Sequence, residues 1–312
     1  MFTLAHLSDP HLAPLPRPRL SELIGKRVTG YMNWRRRRRF VHNPETLAKI
    51  VADLKTQAPD HIAVTGDLTN ISLPEEFVCG RDWLHGLGAP AEVTVIPGNH
   101  DAYVRAAAGE PERQWSDFMR GDDIISVHSR ESGNPESGAQ QFASGFPFVR
   151  RRGPLALIAL STAVPTPPFM ATGRLGEAQL VRLGEMLAAL KREGAYRVVL
   201  IHHPPVSDAK RHKRLIDAAG FLNVIGEHGA ELVLHGHDHL HMLNWLPGPN
   251  GTRVPAIGVP SASGAWTTSK NPAAYNLYVI GGAPGAWRCE MISRGTTPKG
   301  AVEQQRRRKI AG

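Results

Sequence analysis

Five short apolar segments in this chain each stop at a cluster of carboxylate, amide or imidazole side chains, and that repetition constrains the fold more than any other feature. The clearest case is Glu92–Asp101 (EVTVIPGNHD). Glu92 to Ile96 alternate and carry β-branched residues, the pattern of a strand. Pro97 and Gly98 then stop it, and Asn99, His100 and Asp101 follow at once. Asn and Asp are ordinary turn residues, so this segment by itself reads as no more than a turn. The arrangement recurs, however. Phe2–Leu7 ends in Ser8-Asp9-Pro10-His11, and His61–Thr65 runs into Gly66-Asp67. Arg197–Ile201 ends in His202-His203-Pro204-Pro205, and Glu231–Leu234 leads into His235-Gly236-His237-Asp238-His239. In open α/β sheets, ligands bind outside the carboxyl ends of the strands.

The segments between the strands have helical spacing. Pro44–Ala58 places Leu47, Ile50, Val51 and Leu54 on one face, with Asn43 as its cap, and Pro74–Leu87 is a second amphipathic helix. A strand–helix–strand–helix–strand unit gives parallel strands with right-handed crossovers. Asp9, Asp67 and Asn99 are therefore expected at one edge of one sheet. Leu175–Arg192 is the clearest helix, and Lys210–Glu227 a looser one. Leu240–Trp245, Thr252–Val259, Tyr275–Ile280 and Trp287–Ile292 read as strands of a second sheet, with Ser261–Thr268 as a loop at the mouth of the site. The expected organisation is a single domain over 1–295 with two inserts, a basic one at 12–43 and a polar, mobile one at 120–146 that contains His128 as a bystander. The basic tail 296–312 is expected to be disordered.

The first insert contains Ile24–Phe40 (IGKRVTGYMNWRRRRRF), with five consecutive arginines, Arg35–Arg39. Three readings fit it: a solvated basic loop, capture of an anionic substrate, or docking of residues 24–40 on an acidic membrane surface. Tyr31, Met32 and Trp34 beside the arginines favour an interfacial segment. Single-stranded nucleic acid would use a similar mixture, but no dedicated nucleic-acid module is present. The net charge of +9 suits anionic partners in general. Cys79 and Cys289 have neither metal-site spacing nor the pattern of a disulfide framework. Met1–Ser8 carries no basic leader or long apolar run, so a cytoplasmic enzyme is expected, with the inner face of the membrane as a peripheral location.

Collected in order, the ligand-type residues at strand ends are Asp9, His11, Asp67, Asn99, His202, His237 and His239, with His100 beside them. Imidazoles two residues apart in an extended segment project to one side, so His237 and His239 reach adjacent points. Carboxylate, amide and imidazole without thiolate suit Mn, Fe or Zn. Seven ligands are too many for one tetrahedral ion and right for two divalent metal ions sharing a bridge.

Asp9-x-His11, Gly66-Asp67, Gly98-Asn99-His100-Asp101, His202-x-Pro204 and Gly236-His237-x-His239 together resemble the blocks of the calcineurin-like metallophosphoesterase superfamily, in the same order. The nearer resemblance is to bacterial class III cyclic-nucleotide phosphodiesterases and glycerophosphodiesterase-like enzymes. It implies an α/β sandwich of four layers, two mixed β-sheets packed together and flanked by helices. It also implies that Asp9, His11 and His239 hold one metal and Asn99, His202 and His237 the other. Asp67 would bridge both with a hydroxide, the nucleophile for in-line attack on phosphorus. His100 would contact the phosphate and stabilise or protonate the leaving oxygen, and Asp101 would orient His100. His203 is an alternative ligand, although the His-x-Pro spacing favours His202. The implied activity is a phosphodiesterase acting on an anionic phosphoester. The 12–43 segment is longer and more basic than a minimal cyclic-nucleotide enzyme needs, so the alternative is a membrane-associated phospholipid or lipid-linked pyrophosphate hydrolase.

Overall fold

In the computed structural model, which describes residues 1–122, 145–269 and 271–311, the strands form two six-stranded mixed sheets. The first contains β1 (Phe2–Leu7), β2 (His61–Val64) and β3 (Val93–Val95). The second contains β4 (Phe148–Arg152), β5 (Leu155–Ala159), β6 (Tyr196–Leu200), β7 (Leu232–His235), β8 (Met242–Pro247) and β9 (Arg253–Gly258), in the order β4-β5-β6-β7-β9-β8. β10 (Ala274–Gly281), β11 (Arg288–Thr296) and β12 (Val302–Ala311) return to the first sheet, whose order is β12-β11-β10-β1-β2-β3. As expected, β1, β2 and β3 are parallel neighbours, and so are β5, β6, β7 and β9.

Period-two alternation sorts the buried side chains into layers. Leu155 and Leu157 of β5, Tyr196, Val198 and Leu200 of β6, and Leu232 and Leu234 of β7 join one core with Leu4, Ile62 and Leu277 of the first sheet. The intervening Ala156, Ile158, Val199 and Val233 face a second core. There they meet Leu183, Leu187 and Leu190 of one helix and Phe221 and Ile225 of another. Each such leucine, isoleucine, valine or phenylalanine contributes about 1.5–3 kcal/mol by leaving water. Strands buried on both faces read as continuous apolar runs, as these do.

The helices follow in chain order. α1 (Lys26–Asn33) continues through one π-helical stretch, Trp34–Arg38, into α2 (Arg39–Val41). α3 (Pro44–Thr56) starts where the Asn43 side chain accepts the Thr46 N–H at 2.8 Å, with Pro44 in the first turn. α4 (Pro74–Leu87), the short α5 (Glu110–Trp115), α6 (Glu177–Arg192) and α7 (Ala218–His228) complete the set. α6 and α7 are the helices of the second core.

Three expectations change. Tyr275–Ile280 and Trp287–Ile292 belong to the first sheet, because β10 pairs antiparallel with β1 (Leu4 opposite Tyr278). Of the four late strands expected in a second sheet, only β8 and β9 lie there. The basic tail is ordered from 302 to 311 as β12, an edge strand whose ladder on β11 is reinforced by the paired Arg307 and Glu290. Exposed cations suit an edge strand, since they oppose pairing with another chain. Nor is the 12–43 segment simply a solvated basic loop, one of its three readings. Tyr31 and Trp34 turn inward against Leu15, Leu23, Ile71, Leu73 and Tyr103. Residues 123–144, most of the polar insert and His128 with it, lie outside the described residues.

Candidate metal centre

Each strand of the two parallel sets delivers its terminal loop to one end of the sandwich. Asp9 and His11 follow β1, Asp67 follows β2, and Asn99 follows β3. His202 follows β6, and His237 and His239 follow β7. The seven ligand-type residues of the sequence therefore converge from both sheets. Their donor atoms fall into two clusters, Asp9/His11/His239 and Asp67/His202/His237, with the atoms of each within 4.8 Å of one another. In the first, His239 Nε2 lies 3.1 Å from Asp9 Oδ1 and 3.4 Å from His11 Nε2. In the second, His202 Nε2 lies 3.4 Å from Asp67 Oδ2. The same Asp67 oxygen is 3.8 Å from His11 Nε2, so this carboxylate stands between the clusters. Asn99 Oδ1 joins the second cluster, 3.2 Å from His202 Nε2 and 2.8 Å from His237 Nδ1.

The backbone at these points is unusual. Of nine non-glycine residues with positive φ among the described residues, five are Asp9, His11, Asp67, His237 and His239. Each such conformation costs about 1–3 kcal/mol and persists only where its surroundings enforce it. Here the loops enforce one another. Asp9 N–H donates to Gly66 O, His11 N–H to Asp67 O, and His237 N–H to Asp9 Oδ2, at 3.0, 3.0 and 3.1 Å. Gly98 allows a close approach, because a Cβ there would come 2.6 Å from Asp67 N and 2.7 Å from His202 Cε1.

The chemistry of the donors fits cations. His11 Nδ1, His202 Nδ1 and His237 Nε2 lie 3.0, 2.6 and 2.8 Å from the carbonyls of Thr69, Thr65 and Lys213. A carbonyl accepts only a proton, so these contacts assign the ring N–H outward and leave a lone pair facing the cluster. Burial, with Arg38 nearby, holds His11 well below its ordinary value, and burial with His202 lowers His237 to about 3. Burial also disfavours charge on His202, yet Asp67 pulls it up to about 10, an attraction for positive charge at that point. Against burial, His239 and His202 hold Asp9 below the usual carboxylate range.

Two sequence expectations change here, the role of Asp101 and the place of the Ser261–Thr268 loop. Asp101 does not orient His100. Its carboxylate accepts the backbone N–H groups of Asp67 (2.8 Å), Leu68 (3.3 Å), Thr69 (2.9 Å) and Gly98 (2.9 Å), clamping the Asp67 loop to the Gly98 loop. The His100 ring is held by Asn70 O, 2.5 Å from Nδ1, and lies stacked on Tyr103. The alternative ligand His203 faces away, with Nδ1 2.7 Å from Thr162 Oγ1 and Nε2 3.2 Å from Ala171 O. Ser261 and Ser263 are buried behind Asp9 rather than at the mouth, and Ser261 Oγ donates to Asp9 O at 2.6 Å.

The clusters open into a cleft of about 940 Å³ whose lining includes His100, Tyr103, Phe169, Lys26, Arg38 and Lys213. Neither Tyr103 nor the choice of arginine is legible in the sequence. Arg38 is one of five identical letters, and only the turn of the helix selects it. Thr65, Thr69 and Asn70 are equally illegible there, since they act through main-chain carbonyls that any residue could supply.

A family model for calcineurin-like phosphoesterases matches residues 2–241. The chain is 30% identical over 196 residues to a protein of Synechococcus sp. described as a probable cyclic nucleotide phosphodiesterase, and the match covers 62% of each. The chain thus spans about 62% of the length of that relative. Among solved structures, a dimetal phosphatase from Danio rerio superposes with a TM-score of 0.60 at 12% identity, over 99% of this chain and 98% of the other. A purple acid phosphatase, PPD1, from yellow lupin superposes at 0.54 and 12%, over 97% of this chain and 52% of its own. At such identities the two structures speak for the fold, while the family match spans all five strand-end blocks: the chain belongs to the calcineurin-like phosphoesterase family.

Proposed function

We infer that this metallophosphoesterase is a dinuclear phosphohydrolase that cleaves phosphodiesters. The observation that carries the reading is Asp67, one carboxylate set between two buried donor clusters on the floor of a wide cleft. Asp9, His11, His239 and Asp67 would hold one divalent ion, and Asp67, Asn99, His202 and His237 the other. When bound, such a pair supplies an activated water and charge to offset what develops on phosphorus.

The chain's own groups do the positioning. The His100 N–H donates to Asp67 Oδ1 at 2.7 Å, fixing that carboxylate from its far side. With its Nδ1 proton given to Asn70 O, His100 turns the Nε2 lone pair toward Arg38 Nη1 at 3.0 Å, so the ring would donate to an oxygen of the substrate only when protonated. Asp101 keeps the Asp67 and Gly98 loops in register and touches no reacting atom. The cleft volume lies at the upper end of the ~300–1,000 Å³ usual for ligand sites, which leaves room for an organic group on each side of a phosphate. The description of the Synechococcus relative supports a diester, and cyclic nucleotides are the first natural class to assay.

The deciding experiment uses protein reconstituted with Mn²⁺ and compares bis-(p-nitrophenyl) phosphate with p-nitrophenyl phosphate, with Asn99→Ala alongside. Faster metal-dependent cleavage of the diester, abolished in the variant, is expected. Preference for the monoester would overturn the diester assignment.

A second reading keeps the chemistry and places the phosphodiester in an acidic lipid surface. One observation favours it: Leu20, Ile24, Val28, Met32 and Phe40 are exposed along the same segment as exposed Arg35, Arg36, Arg37 and Arg39. The inward turn of Tyr31 and Trp34 removes the two aromatics that first argued for it. Among the described residues, no helix is long and apolar enough to cross a membrane. Sedimentation with phosphatidylserine vesicles, lost when those four arginines become serine, would support it. Absence of the wild-type protein from the pellet would eliminate it.

A further inference from the structure

Within the run Arg35–Arg39, one arginine is set apart. Arg35, Arg36, Arg37 and Arg39 are exposed, while Arg38 is half-buried and lines the cleft. It closes the π-helical stretch Trp34–Arg38, and such turns recur at functional sites. Arg38 Nη1 lies 3.0 Å from both ring nitrogens of His100, and Nη2 lies 3.0 and 2.9 Å from those of His11. Because both Nδ1 atoms give their proton to the carbonyls of Thr69 and Asn70, each amino group has a neutral ring Nε2 as its acceptor and no anion. Arg38 forms no ion pair with a carboxylate among the described residues. A guanidinium removed from water without an anion is unfavourable. Its planar fork of donors matches the oxygens of a phosphate.

The segment that carries Arg38 is braced on three sides. Arg27 Nε donates to Ile71 O at 3.2 Å, and Arg27 Nη2 also reaches Ser72 O. Tyr31 and Trp34 pack beside Leu15, Ile71 and Leu73. Gly30 lies against Tyr103, where a Cβ would come 2.6 Å from the phenol oxygen. Lys26, the other cation of this segment in the cleft, is already committed, since its Nζ donates to Thr166 Oγ1 at 2.6 Å and Met170 O at 2.9 Å. Arg38 alone in this segment combines a braced backbone, a place over both His11 and His100, and no anionic partner.

We propose that Arg38 is a substrate-binding residue, whose guanidinium takes a non-bridging oxygen of the phosphate between His11 and His100. This rests on the phosphoester reading of the site and adds a determinant from outside the five strand-end blocks. The contact exists in ground state and transition state alike, so its loss should raise KM while leaving kcat within a few fold.

The test uses the Mn²⁺-loaded full chain with Arg38→Gln, which keeps the stem and its packing, and Arg38→Lys, which keeps the charge without the fork. Calorimetric titration with inorganic phosphate reads the contact directly, independently of turnover. Arg38→Gln is expected to weaken phosphate binding and raise KM for bis-(p-nitrophenyl) phosphate by roughly 10- to 100-fold, the range of a hydrogen bond to a charged group. Arg38→Lys should fall between, and bound metal and melting temperature should match the wild type. Unchanged phosphate affinity in both variants overturns the proposal. So does a loss that appears only together with lost metal or a lowered melting temperature, which is the signature of a brace. A wild-type protein that hydrolyses no phosphoester yet binds phosphate through Arg38 would overturn the proposed function and leave this contact standing. An active wild type whose variants bind phosphate equally well would do the reverse.

Discussion

Replacing Asp101 by asparagine turns one carboxylate oxygen into an NH₂ group at almost constant volume. Asp101 Oδ2 accepts the N–H groups of Asp67, Leu68 and Gly98, and Oδ1 accepts that of Thr69. The best orientation of the amide keeps its oxygen on the three-donor side and turns NH₂ toward the Thr69 N–H. One hydrogen bond is lost, two donors face each other, and the three remaining bonds lose the help of the charge. A buried donor left unpaired costs about 1–3 kcal/mol, and weakening of the charge-assisted bonds brings the total to about 2–4 kcal/mol. At roughly 2.1 cal/mol/K per residue, the unfolding entropy of this 312-residue chain is about 0.65 kcal/mol/K. The melting temperature should therefore fall by about 3–6 °C. Differential scanning calorimetry of the Mn²⁺-loaded variant measures that shift, and turnover of bis-(p-nitrophenyl) phosphate measures kcat. Because three of the four clamped amides stay held, kcat should drop less than about tenfold. A melting temperature within about 1 °C of wild type together with a kcat lowered about 100-fold would refute the clamp and return Asp101 to a role on His100.

Further outcomes can be checked with the same preparations. Gly98→Ala puts a Cβ 2.6 Å from Asp67 N, a backbone atom that cannot swing aside, and atomic absorption should show less metal retained than in the wild type. Wild-type metal content in that variant would mean the loop gives more easily than its packing implies. EDTA should abolish hydrolysis and lower the melting temperature, and Mn²⁺ should restore both; an unchanged thermal transition would argue against the donor clusters as a cation site. Asp53 provides a pH test away from the site. Burial opposes its charge, but two 2.7 Å bonds from Arg294 and one from Tyr275 hold it below the ordinary carboxylate value. Its stabilisation is therefore complete above about pH 3.9 and lost as pH falls through the lower folded value. Asp53→Asn should cost about 1 kcal/mol at neutral pH, discounted for partial exposure. Urea titrations should show the gap from wild type narrowing as pH falls below about 3.9, and a constant gap would contradict the linkage.

Local pattern carried a large part of this protein. β1 and α4 have the limits read from the sequence, and the five strand-end clusters bring their ligand-type residues to one site. The reason is physical: period and punctuation are properties of a few neighbouring residues, and the chain obeys them wherever burial on both faces makes the strand obligatory. β12 shows the limit of such reading. VEQQRRRKIA has too little apolar character to announce a strand, and it forms one because β11 offers it an open ladder.

The sequence by itself determined which residues stand at the strand ends and that the three loops of β1–β3 share an edge. The tertiary structure decided how those residues are used. It set Asp67 between two clusters, because β6 and β7 of the second sheet face the loops of the first. It gave Asp101 to backbone amides and His100 to Asn70, and it turned Arg38, alone of five arginines, into the cleft. Those outcomes depend on groups far apart in the chain. Positive φ at Asp9, His11, Asp67 and His237 goes with backbone N–H groups bonded to other loops. No local preference encodes a backbone that its own residue disfavours, so only the assembled fold could supply it.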